Sequence, residues 1–580
     1  MTKITTKSIY RPEKDEVNVE HGAVATAHPI AAQVGVDVLQ NGGNAIDAAI
    51  ATGFCLNVIE PWNSSIAGHG QMIVHVAAEG KTVAIDYGHR APKAATAEMF
   101  DVIGQTQQGN GIYEVAGRAN FTGHLSVGVP GVTAGMCKAH EMFGSLPLEE
   151  LLEPAIHYAR YGFEVDQTSC FMIAQAMADL LELGESGRIF LPTGYPPLKG
   201  ERLIQSDLAE TLRRISHEGK DALYSGKMAY IIDEEMRRND GILSVEDLAD
   251  YDAQVLEPLR ITYRGYEIFG SPVPAGTITE FQTLKILENF KLNAFENNSP
   301  EYLHLIIEAL RNAFADRYRF LGDPNFVPVP LEGILSTEYA KEISSSINPK
   351  RSALESDLKL QPWVFFAEEE IHDPWRYTKQ KRPEKALTFS SPYTGDCTTH
   401  FSIIDKYRNM ISCTQTAVGV FGSRVIIPGT GILLTNGMVV FNPMPGSANS
   451  IAGYKRGLNN MSPVLVLKDG KPFLSLGAPG GRRIISRIAQ VLVNIIDFEL
   501  GIQDAISSPT VDASERDTLL DRRHDTKTLE TLGLMGHNVV VEPVTGDGFS
   551  RPRGVLFDHN SNRLRAGVHV TGLDEARGYQ

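Results

Sequence analysis

Apolar residues recur along this chain with two periods, about 3.6 and 2, and the switches between them mark out its elements. Ala23–Thr26 reads as a strand leading into His28-Pro29, and Pro suits the first turn of a helix. Ile30, Val34, Val38 and Leu39 then fall on one helical face until Gly42-Gly43 stops it. Asn44 is placed to cap a second helix, Ala45 to about Leu56. Val83–Tyr87 predicts a strand, and Gly128-Val129-Pro130-Gly131 a tight turn before a helix through Met136 and His140. Tyr302 to Phe320 predicts an amphipathic helix.

Beyond residue 398 the period of 2 takes over. Phe401–Asp405 and Met410–Thr416 predict a hairpin around Tyr407-Arg408-Asn409. Val464–Lys468 and Phe473–Leu476 predict another around Asp469-Gly470-Lys471-Pro472, and Ile484–Phe498 a helix. Two stretches carry neither period. Residues 1–20 read as a loose polar arm. Residues 345–397, with Glu355, Asp357, the run Glu368–Glu370, Lys379, Lys381, Arg382 and Lys385, read as a mobile segment. No short repeat is evident.

Composition narrows the function classes. The chain has 580 residues and a formal charge of −16, which argues against a nucleic-acid surface. Its five cysteines, Cys55, Cys137, Cys170, Cys397 and Cys413, include no CxxC pair, so neither a zinc site nor a disulfide framework is indicated. The N-terminus lacks the apolar core of a secretory signal, and no apolar run has the length to span a bilayer. The expectation is a cytoplasmic enzyme without membrane contact. Ala78-Glu79-Gly80-Lys81-Thr82 ends like a phosphate-binding loop, but position 75 is His where that loop begins with Gly, so a hairpin turn is expected. Gly128, Gly131 and Gly135 do not make a nucleotide motif, and His21 and His28 lack a third metal ligand at a plausible spacing.

The chemistry concentrates at Gly395-Asp396-Cys397-Thr398-Thr399-His400-Phe401-Ser402. Two threonines enter an alternating strand deep inside the chain. A plain β-branched pair fits there; so does a protein that cuts itself before Thr398. A Thr hydroxyl is a weak nucleophile and must pass its proton to a base. A free α-amine on the same residue, with a pKa of roughly 7.7–8.0, can take it. An amide nitrogen cannot, so an internal Thr is inert as a catalyst toward substrate until the bond from Cys397 opens. Cleavage one residue earlier would expose Cys397, also a competent nucleophile.

With these residues in view the chain resembles the γ-glutamyltransferase family of N-terminal-nucleophile hydrolases, from about residue 20 to 575. The likeness is carried in family order by His28-Pro29 through Gly42-Gly43-Asn44-Ala45-Ile46-Asp47-Ala48-Ala49, Val127–Gly131, Glu308-Ala309 with Ala315-Asp316-Arg317 and Leu321-Gly322-Asp323-Pro324, Thr398–Ser402, and Met461-Ser462-Pro463 with Pro479-Gly480-Gly481. It implies an α+β fold, a four-layer αββα sandwich. It implies self-cleavage into a large subunit, 1–397, and a small one, 398–580, that stay intertwined as one structural domain. No metal or organic cofactor is expected. The partners expected are a small-molecule amide and the two subunits of one precursor; a higher homo-oligomer is left open. By the likeness Thr398 is the nucleophile, Thr416 orients it, and the backbone N–H groups of Gly480 and Gly481 form the oxyanion hole, where a plain turn is the other reading.

The departures from the family bear on specificity. Gly88 stands where the family has an arginine, Val418 where it has an asparagine, Gly437 and Val440 where a glutamine and an aspartate read the substrate amine, and Asn459-Asn460 where it has a serine pair. An ammonium facing Val418 and Val440 loses charge-assisted hydrogen bonds. Arg90, on the same face of an extended segment roughly 6.5–7 Å beyond Gly88, either supplies a guanidinium to the substrate or is a surface residue. Asn459 and Asn460 can donate to a carboxylate or carbonyl. The connection from Phe441 to Asn459 is short, which predicts an open pocket that admits bulky amides and water, favouring hydrolysis. The expectation is an acylase for acyl groups bearing a carboxylate or carbonyl but no α-amine. A true γ-glutamyltransferase and a non-catalytic relative are the alternatives.

Overall fold

The computed structural model describes residues 13–105, 113–353, 372–383, 397–515, 517–542 and 548–580. Two seven-stranded antiparallel sheets lie at its centre. The first, here the nucleophile sheet, runs in the order Glu575–Tyr579, Gly22–Thr26, Cys397–Ile404, Met410–Val418, His69–Val76, Lys81–Tyr87, Gln254–Leu256. The second, the companion sheet, runs Val17–Val19, Arg563–Val568, Arg553–Asp558, Lys471–Gly477, Val464–Lys468, Tyr266–Gly270, Leu259–Tyr263. Both sheets therefore combine strands from before and after residue 397.

The strand period of 2 sorts side chains into separate cores. Val24, Met72, Val74, Phe401, Ile403, Ile411 and Cys413 face the helical layer that includes Ala45–Ile59. Their neighbours Ala23, Ala25, Ile73, Ile404 and Met410 face the companion sheet, against Leu465, Leu467, Val555 and Phe557. The outer face of the companion sheet, with Ile268, Val464, Val466 and Leu474, packs on the helices Thr277–Leu287, Pro300–Phe320 and Arg483–Ile496. Helix, sheet, sheet, helix is the four-layer αββα sandwich expected from the resemblance.

Local chemistry explains the elements nearest the site. The Asn44 side chain accepts from the N–H groups of Ile46 and Asp47, and the Asp47 carboxylate accepts from Asn44 N, a reciprocal cap. The helix it starts reaches Ile59 and is buried on every side, so no polar face marked its end in the sequence. Asp405 closes the predicted hairpin by accepting from the N–H groups of Tyr407 at 2.8 Å and Asn409 at 3.0 Å. Its other oxygen accepts from Ala45 N at 3.0 Å, which ties the hairpin to a helix N-terminus. Asp469 and Gly470, both at positive φ, make the second hairpin turn. Residues 77–80 form the expected turn between His69–Val76 and Lys81–Tyr87.

Three expectations are revised or bounded. Of the loose arm, residues 1–12 lie outside the described residues, but Val17–Val19 pair with Arg563–Val568 as a sheet edge. Three residues that alternate weakly gave no local signal for that distant partner. Of the mobile segment, residues 354–371 and 384–396 lie outside the described residues. Between them, Trp375 is buried against Phe320, and His372 is held at 3.0 Å by Asp316 and at 2.9 Å by Asn312. The helix Pro300–Phe320 is not amphipathic in use: polar and apolar residues alike are buried, because its charged residues meet partners inside. Among the described residues no helix is long and apolar enough to cross a membrane.

Candidate active site

Thr398 and Thr416 meet on adjacent central strands of the nucleophile sheet. Cys397 pairs with Val418 and Thr399 with Gln415, so the register shifts at Thr398. A bulge re-aims a side chain, and here it splits the two threonines. The Thr399 hydroxyl donates to Glu60 Oε2 at 3.2 Å on the helical side. The Thr398 hydroxyl lies 2.7 Å from the Cys397 carbonyl oxygen, to which it donates. That same oxygen accepts from the Thr416 hydroxyl. Both threonines are 5% exposed.

The direction of the Thr416 hydroxyl is fixed from behind. Its oxygen accepts from Val418 N at 2.8 Å, which leaves its proton for the Cys397 carbonyl. Val418 reaches that position at φ +80, rare for a β-branched residue. Such strain costs about 1–3 kcal/mol and persists only where the surroundings hold it. They do so through Gly419 N, which donates to Asn436 Oδ1 at 2.9 Å.

Beneath Thr398, His400 is completely buried and bridges Thr414 and Ser402 at 2.9 Å each. Burial first, and the Arg553 charge second, push its pKa well below the ordinary value, so it is a neutral spacer. Gly477 ends its companion-sheet strand against this ring; a Cβ there would lie 2.3 Å from it. Three residues on, Gly480 and Gly481 turn the chain into Arg483–Ile496 at the same end of the stacked sheets. Gly480 has φ +129, and a Cβ on it would lie 2.6 Å from Ser550 Cα.

The acyl-side candidates separate. Asn459 Oδ1 accepts from Met461 N at 3.1 Å, and Asn460 Oδ1 from Arg317 at 2.8 Å. Arg317 also donates to Asn459 O at 2.7 Å and is itself buried. The carbonyl ends are thus occupied, and both amide N–H₂ groups are without a partner among the described residues. Arg90 is in a different position: its guanidinium pairs with Asp250 at 3.1 Å and lies over the rings of Tyr454 and Tyr251. It is already engaged, and the extended-segment argument could not foresee Asp250, which is distant in sequence.

Val418 and Val440 lie in an apolar cluster with Ala91, Met438, Val439, Phe441 and Ile451. The short connection after Phe441 folds on itself: Asn449 donates to Val440 O at 2.7 Å and accepts from Leu458 N at 2.9 Å, and Lys455 Nζ donates to Ala448 O and Ser450 O at 2.8 Å each. Cys397 is buried, and the carbonyl that its own release would require, at residue 396, lies outside the described residues. The sequence reading missed Glu60. It caps a helix more than three hundred residues before Thr399, and only the tertiary fold joins them. It also missed a buried histidine pair, His69 and His89, with ring centroids 4.3 Å apart. Among the described residues one group of side chains is close enough to share a metal, His304, Glu308 and His537. Its nitrogens are used internally: His304 bonds His537 and Asn348 O at 2.7 Å each, and Arg311 stands 3.4 Å from His537.

Comparison with known proteins sets this geometry among relatives. The sequence profile of the family described as Gamma-glutamyltranspeptidase matches residues 31–575. The chain is 34% identical over 560 residues to the Glutathione hydrolase proenzyme of Bacillus subtilis (strain 168), covering 95% of this chain and 91% of that protein. It is 36% identical over 553 residues to the Acylase ACY 1 proenzyme of Pseudomonas sp. (strain SE83), covering 94% and 92%. Among solved structures, cephalosporin acylase from Bacillus halodurans superposes with a TM-score of 0.83 at 27% identity, over 100% of both chains.

Proposed function

The chain belongs to the gamma-glutamyltranspeptidase family, and from that premise we propose that it is a self-processing N-terminal threonine amidohydrolase acting on acyl groups that carry a carboxylate or carbonyl but no α-amine. The observation that carries the acyl preference is the apolar cluster at Val418 and Val440. An ammonium brought against that cluster loses its water and gains no charge-assisted hydrogen bond from it.

Maturation follows from the contacts of the uncut chain. The Thr398 Oγ1 attacks the Cys397 carbonyl carbon while the Thr416 hydroxyl stabilises the oxyanion that forms. The C–N bond breaks, its nitrogen takes up the proton that the Thr398 hydroxyl gives up, and the Cys397 acyl group passes to the Thr398 oxygen as an ester. Water hydrolyses the ester, giving a large subunit 1–397 that ends in a carboxylate and a small subunit 398–580 that begins with a free amine.

The mature site reuses the same atoms. The Thr398 amine accepts the hydroxyl proton as Oγ1 attacks the substrate amide, and it returns a proton to the departing amine. Thr416 holds the nucleophile, and the Gly480 and Gly481 N–H groups take the oxyanion. The free amide N–H₂ groups of Asn459 and Asn460 bind the acyl oxygen, with Arg317 behind them making those donors stronger. Water then releases the acid. Arg90 is left to Asp250.

The second reading, a γ-glutamyl hydrolase, draws on the name of the B. subtilis relative. A panel of anilides that differ only in the α-amine separates the two. Better hydrolysis of the amine-free acyl group supports the proposal, and equal or faster hydrolysis of the γ-glutamyl compound overturns it.

A further inference from the structure

Three positions in register across neighbouring strands face the space between the sheets: Thr416, His69 opposite it, and Gly88, one step beyond the Gly70–Tyr87 pair. A Cβ added at Gly88 would meet nothing within 4 Å but the Asp86 carboxylate. No side chain therefore occupies the position at residue 88, beside His69. His69 packs edge-on against His89, whose ring lies against Phe441 at 5.8 Å. Gly437 and Gly457 make room for that ring, since a Cβ on either would lie 2.8 Å from it. Both histidines are 1% exposed, and none of their four ring nitrogens has a hydrogen-bond partner among the described residues. Buried polar groups are paired in native proteins unless something else needs them.

We infer that His69, backed by His89, is a specificity-determining contact of the acyl pocket, and that it selects an acyl chain ending in an uncharged hydrogen-bonding group: a carbonyl, carboxamide or hydroxyl. The inference rests on the acylase reading above and narrows its acyl end. A neutral imidazole offers one N–H and one lone pair, which matches such a group. Burial holds both rings neutral, His69 well below the ordinary histidine range and His89 at about 3. The charges nearby are committed elsewhere. The two oxygens of Asp86 accept from Gly88 N and from Arg456, and Arg90 pairs with Asp250. A carboxylate end placed beside Gly88 would meet the Asp86 carboxylate, with Arg456 and Arg90 already paired.

The test compares glutaramoyl anilide with glutaryl anilide, which differ only in a terminal carboxamide or carboxylate, with γ-glutamyl anilide run beside them. The mature parent should favour the carboxamide by about tenfold or more in kcat/KM. In His69→Phe and His89→Phe that preference should shrink toward unity through a higher KM, and His69→Gln, which keeps a donor and an acceptor, should retain it. Self-cleavage on a denaturing gel certifies a folded site; if His69→Phe fails to mature, His69→Gln and His89→Phe carry the test. A parent that prefers the carboxylate or does not discriminate overturns the inference, as does an unchanged ratio in the Phe variants. Rapid γ-glutamyl hydrolysis would instead sink the broader acylase reading, so the two failures are distinct.

Discussion

Replacing Thr416 by Val keeps the shape of the side chain and removes one hydroxyl, and two losses follow. The Cys397 carbonyl loses a donor that sits where negative charge develops during self-cleavage. Removing one such donor costs roughly 2.7–4 kcal/mol, or about 10²–10³ in rate. Val418 N also loses its acceptor inside a buried site, about 1–3 kcal/mol of native-state stability. That penalty is carried equally by the uncut chain and the transition state, so it lowers stability without changing the rate. The expected result is maturation slowed by about 10²-fold, read as the disappearance of the intact chain on a denaturing gel, with fragment masses placing the cut before Thr398. Thr416→Ser keeps both bonds and should mature within a few-fold of the parent. If Thr416→Val is processed as fast as the parent, the Thr416 hydroxyl does not stabilise the oxyanion, and the account of self-cleavage fails.

Other outcomes follow from the same geometry. A γ-glutamyl anilide should fall on the order of 10²- to 10⁴-fold below its amine-free counterpart in kcat/KM, because an ammonium meets Val418 and Val440. Gly480→Ala forces a Cβ against Ser550 at a φ of +129, so turnover of the mature protein should drop by about 10²-fold; unchanged kcat would remove these glycines from the oxyanion hole. Burial lifts the Glu280 carboxyl, which Ser462 contacts, to about 8. The folded state then keeps a proton that the unfolded chain releases near pH 4.5, so this group's contribution to stability is lost as pH rises from there through 8, by up to about 1.4 kcal/mol per unit. Urea midpoints at pH 5 and pH 8 should show Glu280→Gln gaining on the parent at the higher pH, and parallel changes in both proteins would contradict the assignment.

How much of this was legible in the sequence depended on the range of the interaction. The Asn44 cap, the Asp405 turn and the Asp469-Gly470 hairpin are encoded within a few residues, and each formed where the pattern placed it. Thr398 and Thr416 could be paired because a single hairpin joins them. Glu60, the contacts of Arg317 with Asn459 and Asn460, and the His69–His89 pair were not legible. Each reaches the site through a strand or helix far away in the chain, and nothing local distinguishes them from buried residues elsewhere. Arg90 shows the same limit from the other side. Its direction could be argued from a strand's geometry, but its true partner, Asp250, could not.

The mixing of strands from before and after residue 397 in both sheets bears on the molecularity of folding. Gly22–Thr26 lies between Glu575–Tyr579 and Cys397–Ile404, and His69–Val76 zips to Met410–Val418. One uncut chain assembles this weave as a first-order event. Once cut before Thr398 as proposed, the same weave forms only by collision of two polypeptides, so the refolding yield of the cut form depends on concentration while that of the uncut chain does not. On that proposal the cut form persists by coming apart slowly, with a lifetime set by the barrier to unravelling the sheets.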